Sequence, residues 1–235
     1  MAEIIPEEAL AVAISFDAKF RAIKDEAHPL PSLFADFQWD FHFLQTDERV
    51  IPVIFAALGW YYSRRFPEHD HEWTQAILRL KKEHGPDLLS FFNRLLLPLL
   101  PDQSAVFAVP PSQLTWTRSG VQALANQLAT LSGGSDCSVH LVRSAPTDHR
   151  PGWQGGDRSV EAQLDSLKVL APDSTPGPPS VIVDDIWTTG NSLWACSKLV
   201  ALHKPPLILG LALSRTFGRP GAPSCTFPSC CCNSL

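Results

Sequence analysis

The stretch that most constrains this chain is SVIVDDIWTTGNSLWAC, Ser180 to Cys196. Val181-Ile182-Val183 is continuously apolar and β-branched, the composition of a strand covered on both faces. It ends in two adjacent carboxylates, Asp184 and Asp185, which are costly to hold at the margin of a core. The polar run Thr188, Thr189, Gly190, Asn191 and Ser192 follows, with no packing value of its own, and leads into a helix predicted over Ser192 to Leu202. In an open parallel sheet this order of elements sets a ligand site at the carboxyl edge. Loop N–H groups and a helix N-terminus suit a phosphate. Carboxylates accept hydrogen bonds from vicinal hydroxyls, so a phosphorylated sugar answers both halves. The blander alternative is an acidic turn in which Thr188 or Asn191 caps the helix. A Walker A loop is excluded, for there is no GxxxxGK[ST], and so is a GxGxxG dinucleotide turn.

The surrounding sequence supplies the sheet. AVFAV (Ala105 to Val109), SVHLV (Ser138 to Val142), VIV (Val181 to Val183) and LILGLALS (Leu207 to Ser214) read as short apolar strands. Helical segments, one of them Thr117 to Leu131, fall between them, and such alternation implies parallel pairing through right-handed crossovers. Arg143 to Gly156 is a long polar loop, Glu161 to Leu170 a strand or short helix, and PDSTPGPPS a surface linker.

The first hundred residues read differently. Pro6 to Lys24 and Val50 to Phe66 are predicted helices, followed by helices over about Asp70 to His84 and Asp87 to Leu100, while Phe34 to Gln45 alternates as a strand or hairpin. The division predicted is a mostly helical N-terminal region or hood (1–100), a core (101–217) and a disordered Cys-rich tail (218–235). His69-Asp70-His71-Glu72 reads as a helix start before it reads as a metal site. The tail's Cys225, Cys230, Cys231 and Cys232 include three consecutive cysteines, which cannot all face one tetrahedral ion.

Composition bounds the partners. The net charge is −5, so there is no basic surplus to draw nucleic acid or a membrane surface. No apolar run reaches the roughly 18 residues of a membrane span, and the N-terminus lacks the basic start of a signal peptide. A soluble, cytoplasmic protein is expected.

VIVDDIWTTGNS resembles the 5-phosphoribosyl-1-diphosphate (PRPP) motif of type I phosphoribosyltransferases. A weaker similarity over Val106 to Thr216, with AVPPS at the end of the first core strand, resembles the competence protein ComF group. ILRLKKEHGPDLLSFF is similar to the lysine-containing helical region ahead of that group's core. The chain departs from the group in three ways. No cysteine precedes Cys137, where the group carries a zinc finger; Arg158-Ser159-Val160-Glu161 has Glu where R-x-x-N has Asn; and Trp187 replaces a smaller aliphatic residue.

The resemblance implies an α/β fold, mainly parallel and flanked by helices, and transfer of phosphoribose from Mg-PRPP to a nitrogenous acceptor with release of pyrophosphate. It implies that Asp184 and Asp185 bind the ribose hydroxyls and magnesium, directly or through water. Thr188, Thr189, Gly190, Asn191 and Ser192 would wrap the 5-phosphate, with Gly190 supplying an unusual dihedral. The pyrophosphate loop falls on Ser112 and Gln113, since Pro110 and Pro111 have no N–H. Arg143, Arg150 and Arg158 are candidates to close over the departing charge, with Arg150 and Arg158 preferred. Thr188 stands where purine-salvage members carry an acid, which disfavours hypoxanthine and guanine as acceptors. A homodimer is a candidate assembly. The alternatives are a catalytically silent PRPP- or nucleotide-binding regulator and a competence-type accessory of DNA uptake.

Overall fold

The computed structural model describes residues 15, 18, 38–64, 71–83, 85–112, 119–145, 157, 159–170 and 177–216. Pro6 to Lys24, most of the long loop and everything after Thr216 therefore lie outside, or almost outside, the described residues, and with them the predicted first helix and the Cys-rich tail.

The described strands are β1 (Gln38–Gln45), β2 (Val50–Ala57), β3 (Trp60–Tyr61), β4 (Ala105–Ala108), β5 (Ser135–Asp136), β6 (Leu141–Arg143), β7 (Leu167–Val169), β8 (Ser180–Trp187) and β9 (Ile208–Thr216). The helices are α1 (Glu72–Glu83), α2 (Pro86–Leu96), α3 (Gly120–Leu131), α4 (Val160–Ser166) and α5 (Asn191–Val200). Seven strands form one sheet in the order β1-β2-β9-β8-β4-β5, with β3 also on β9. Every pairing in it is parallel except β1 with β2. β8 thus lies between β9 and β4, and Asp184 and Asp185 sit toward its carboxyl end. The fold is the mainly parallel sheet flanked by helices that the sequence leads one to expect.

Side-chain alternation along β8 divides the core into two layers. Val181 and Val183 pack with Trp73, Ile77, Leu80, Phe92, Leu124 and Leu128 from α1, α2 and α3. Ile182 packs on the opposite face with Phe55, Phe107, Leu193, Trp194, Cys196 and Val200. Burial of both faces is why these strands read as unbroken apolar runs.

Three expectations need correction. Val50 to Phe66 is not a helix: Val50–Ala57 is β2 and Trp60–Tyr61 is β3. β2 is buried between β1 and β9, so its sequence shows neither the helical nor the alternating period. Pro52 is tolerated because pairing with β9 begins only at Val53. Accordingly the described part of the first hundred residues adds three strands to the main sheet as well as two helices, and is not simply helical. Finally, Ser138 to Val142 is not the second core strand. Ser138–His140 is a 3-10 turn, and β6 pairs antiparallel with β7 in a separate two-stranded sheet, while the core position belongs to the brief β5.

No helix among the described residues is long and apolar enough to cross a membrane.

Candidate functional site

A cavity of about 470 Å³ opens at the carboxyl edge of the sheet. Its floor is β8 and the turn after it, Asp184 to Ser192. One wall is Val109 to Ser112 after β4, and another is the start of α3 at Ser119 to Val121. Tyr61, Lys81, Arg143, Gln163, Leu193 and Thr216 complete it. Asp184, Asp185, Thr188, Thr189, Gly190, Asn191, Ser192 and Ser112 are thereby brought together as the sequence anticipates. Gln113, Arg150 and Arg158 lie outside the described residues.

The turn into α5 is held by backbone conformation, not by a side-chain cap. Gly190 is the N-cap, with φ 83° and ψ −6°, and no side chain caps the helix. That left-handed conformation is open to glycine and strained for β-branched residues. Neither Thr188 nor Asn191 serves as the cap, contrary to the blander reading. Thr189 Oγ1 lies 3.5 Å from the Asn191 amide, at the limit of a hydrogen bond. The result is a helix N-terminus that lines the cavity with no side-chain cap on Gly190. By contrast α3, the other helix starting at the cavity, carries a complete capping box between Ser119 and Gln122.

The two acids have different neighbours. Asp184 accepts a hydrogen bond from the Asp185 amide at 2.8 Å. Removal from water, then the adjacent Asp185 charge, push its pKa up from 3.8 to about 8, against the opposing pull of that hydrogen bond and of Lys81. Asp185 instead forms an ion pair with Lys81, Nζ to Oδ2 2.9 Å. Burial works against the Lys81 charge, but the attraction of Asp185, and then of Asp184, outweighs it and raises the lysine pKa. Lys81 lies within the lysine-bearing segment that the sequence singles out; it falls four residues after Ile77 and eight after Trp73, on the buried stripe of α1, whereas the exposed Lys82 does not.

Arg143 is present, with three of its N–H donors engaged. Its Nε donates to the Pro111 carbonyl at 3.0 Å, and its terminal nitrogens to the Pro110 carbonyl at 3.4 Å and the Ser166 hydroxyl. It ties the turn after β4 to the small sheet beneath. Desolvation lowers its pKa, opposed by the nearby Asp184 carboxyl. Gln163, which sequence reasoning passes over, is buried and accepts from the Ser192 hydroxyl at 3.4 Å. A lone Gln on a seven-residue helix gives no signal in sequence.

Trp187 proves to be a core residue. It is 1% exposed, stands edge-on to Phe55 and lies beneath the Arg215 guanidinium, 4.3 Å from ring centroid to charge centre. His71 Nδ1 accepts from the Trp73 amide at 3.3 Å, the capping role expected of that segment; His69 and Asp70 lie outside the described residues. Among the described residues no group of three or more His, Cys, Asp or Glu could by itself hold a metal ion.

No family model matches the chain, and no curated protein does. Solved structures that are similar include an adenine phosphoribosyltransferase, 14% identical over 80% of this chain and 96% of that one, with a TM-score of 0.33. Another is the adenine phosphoribosyltransferase of Saccharomyces cerevisiae complexed with D-2,5-dideoxy-2,5-imino-altritol 1,6-bisphosphate and adenine. It is 15% identical over 84% of this chain and 98% of that one, with a TM-score of 0.36. Likenesses this distant assign neither a substrate nor a residue's role, which the geometry of the cavity must supply.

Proposed function

We propose that the chain is a phosphoribosyltransferase of type I, of the ComF-like group, that binds PRPP and passes its phosphoribose to a nitrogenous acceptor. The observation that carries this reading is the convergence, in one cavity, of two carboxylates and an uncapped helix N-terminus entered through left-handed Gly190.

Each residue then has a task set by its chemistry. The backbone amides of Gly190, Asn191 and Ser192, with the Thr188 and Thr189 hydroxyls, hold the 5-phosphate. Asp184 and Asp185 accept hydrogen bonds from the ribose hydroxyls and fix the sugar. Ser112 and Gln113 donate to the diphosphate from a turn that Arg143 keeps in place. Arg150 and Arg158 are proposed to close over it. As the acceptor nitrogen bonds to C1, the C1–O bond breaks and its electron pair leaves with pyrophosphate. The protein's contribution is donors already aimed at that departing charge.

Magnesium fits the donor set. Asp184 and Asp185 are hard oxygen ligands, and two carboxylates without a third group suit an ion that keeps most of its waters. They would hold it, and it would supply neutralisation of diphosphate charge.

Calorimetric titration with PRPP in magnesium tests the reading. Wild type should bind, and Asp184→Asn and Asp185→Asn should each weaken binding by about 1–3 kcal/mol, the cost of a lost hydrogen bond to a charged group. A wild-type protein that ignores PRPP sinks the proposal. Binding without pyrophosphate release across a panel of nitrogenous acceptors would instead favour the silent binder.

A further inference from the structure

Of the described residues that line the cavity, two are cationic, Lys81 and Arg143. Arg143 is engaged by two loop carbonyls and Ser166. Lys81, by contrast, is ion-paired with one of the acids, 2.9 Å from Asp185. It does not arrive there on a loose tether. α1 is pinned by Ile77 and Leu80, both fully buried, and its backbone abuts Gly120 so closely that no Cβ fits between. A rigid helix thus delivers one positive charge to a pair of carboxylates, at the place where a divalent ion would otherwise be drawn.

We infer that Lys81 is the resident counter-cation of the Asp184–Asp185 pair. It keeps the ligand-free site from taking up a divalent ion, and it carries part of the neutralisation when a diphosphate enters. The first half rests on geometry alone; the second rests on the phosphoribosyl reading. A diphosphate approaching these acids meets the like charge of Asp185, and the repulsion must be relieved by a cation that is either imported or already in place. Lys81 is already in place, so its loss should make binding of the sugar diphosphate lean more heavily on metal.

The test has two arms, run on the full chain as wild type, Lys81→Met and Lys81→Arg. Methionine retains the apolar stem, and arginine retains the charge. In the first arm Mg²⁺ is added with no other ligand and thermal unfolding is followed. Wild type and Lys81→Arg should not shift, whereas Lys81→Met, with Asp185 released, should be stabilised by several degrees as the ion binds the folded state. In the second arm PRPP is titrated with EDTA or with Mg²⁺. Wild type should bind more weakly in EDTA than in Mg²⁺, which sets the reference for the variants. Lys81→Met should lose roughly a further ten- to hundredfold in EDTA relative to wild type, the scale of a charge-assisted bond, and recover with Mg²⁺. Equal Mg²⁺ stabilisation of wild type and Lys81→Met overturns the inference, and so does an unaltered metal dependence of PRPP binding in Lys81→Met. If no variant binds PRPP while the first arm behaves as stated, the phosphoribosyl reading falls and the counter-cation assignment stands.

Discussion

Gly120 presses against the Leu80 carbonyl, and a Cβ at that position would overlap the backbone of α1 and the Leu80 side chain. The contact lies one residue from Lys81, so the first residue of α3 sets where the lysine stands. Gly120→Val should therefore destabilise the protein by about 1–3 kcal/mol, the usual cost of overpacking, and should disturb the Lys81–Asp185 pair. Gly85, with nothing within 4 Å of its would-be Cβ, is the matched control. Gly85→Ala should change stability by less than about 0.5 kcal/mol. Urea denaturation of both variants decides, and equal losses would remove the special status of Gly120.

Gly190 offers a second backbone test. Its φ of 83° costs an ordinary residue about 1–2 kcal/mol, so Gly190→Ala should lower stability by that amount. Gly190→Val should cost more and should also crowd the phosphate site, abolishing calorimetric binding of ribose 5-phosphate. Binding retained by Gly190→Val would place the phosphate elsewhere.

The Asp184 carboxyl gives the ligand-free protein a pH signature. Its pKa rises from 3.8 unfolded to about 8 folded. Between those values the unfolded chain has given up the proton that the folded chain keeps, so folding binds protons and stability falls as pH rises, levelling above about pH 8. Lys81, raised above its ordinary value, stays charged throughout that window and adds no slope there. Asp184→Asn should flatten the profile and be the more stable protein at pH 8.5. Denaturation midpoints at pH 5 and pH 8.5 check it; parallel profiles for the two proteins would mean that Asp184 is ionised throughout.

How far each element can be read from the sequence depends on what its residues do. Ser180 to Ser192 was legible because its strand, acids and turn are contiguous and each residue type has one physical reason to be there. β2 was not, since a strand buried on both faces and a buried helix write the same unbroken apolar run, and the sandwiching by β1 and β9 that separates them is tertiary. The brief β5, Ser135–Asp136, is exposed and polar, and owes its place to pairing with Ala105 and Val106, not to any pattern of its own. Lys81 stands on the Trp73–Ile77 stripe of its helix, so its inward face is legible, but that this face meets Asp185 is tertiary, and Gln163 leaves no sequence signal at all. Trp187 illustrates the converse: a residue that looks like a departure in a motif is repacked into the core by Phe55 and Arg215.

Arg143 supplies the most discriminating remaining test, because its geometry argues for positioning over direct binding. Three of its donor directions are taken by Pro110, Pro111 and Ser166, and the turn it braces includes two prolines that cannot anchor themselves through N–H groups. Arg143→Met would fill the same space but leave the two carbonyls without their donor, and Ser112 would lose its fixed place at the cavity wall. The phosphate turn at Gly190 is built from a different segment and should be unaffected. Affinity for PRPP, whose diphosphate needs the Ser112 turn, should therefore fall roughly tenfold, equivalent to one hydrogen bond to a placed donor, while affinity for ribose 5-phosphate should hold within about twofold. Paired calorimetric titrations of both ligands on wild type and Arg143→Met read the split directly. An equal loss for the two ligands would mean that Arg143 supports the whole cavity, and no loss for either would mean that the turn after β4 does not meet the diphosphate.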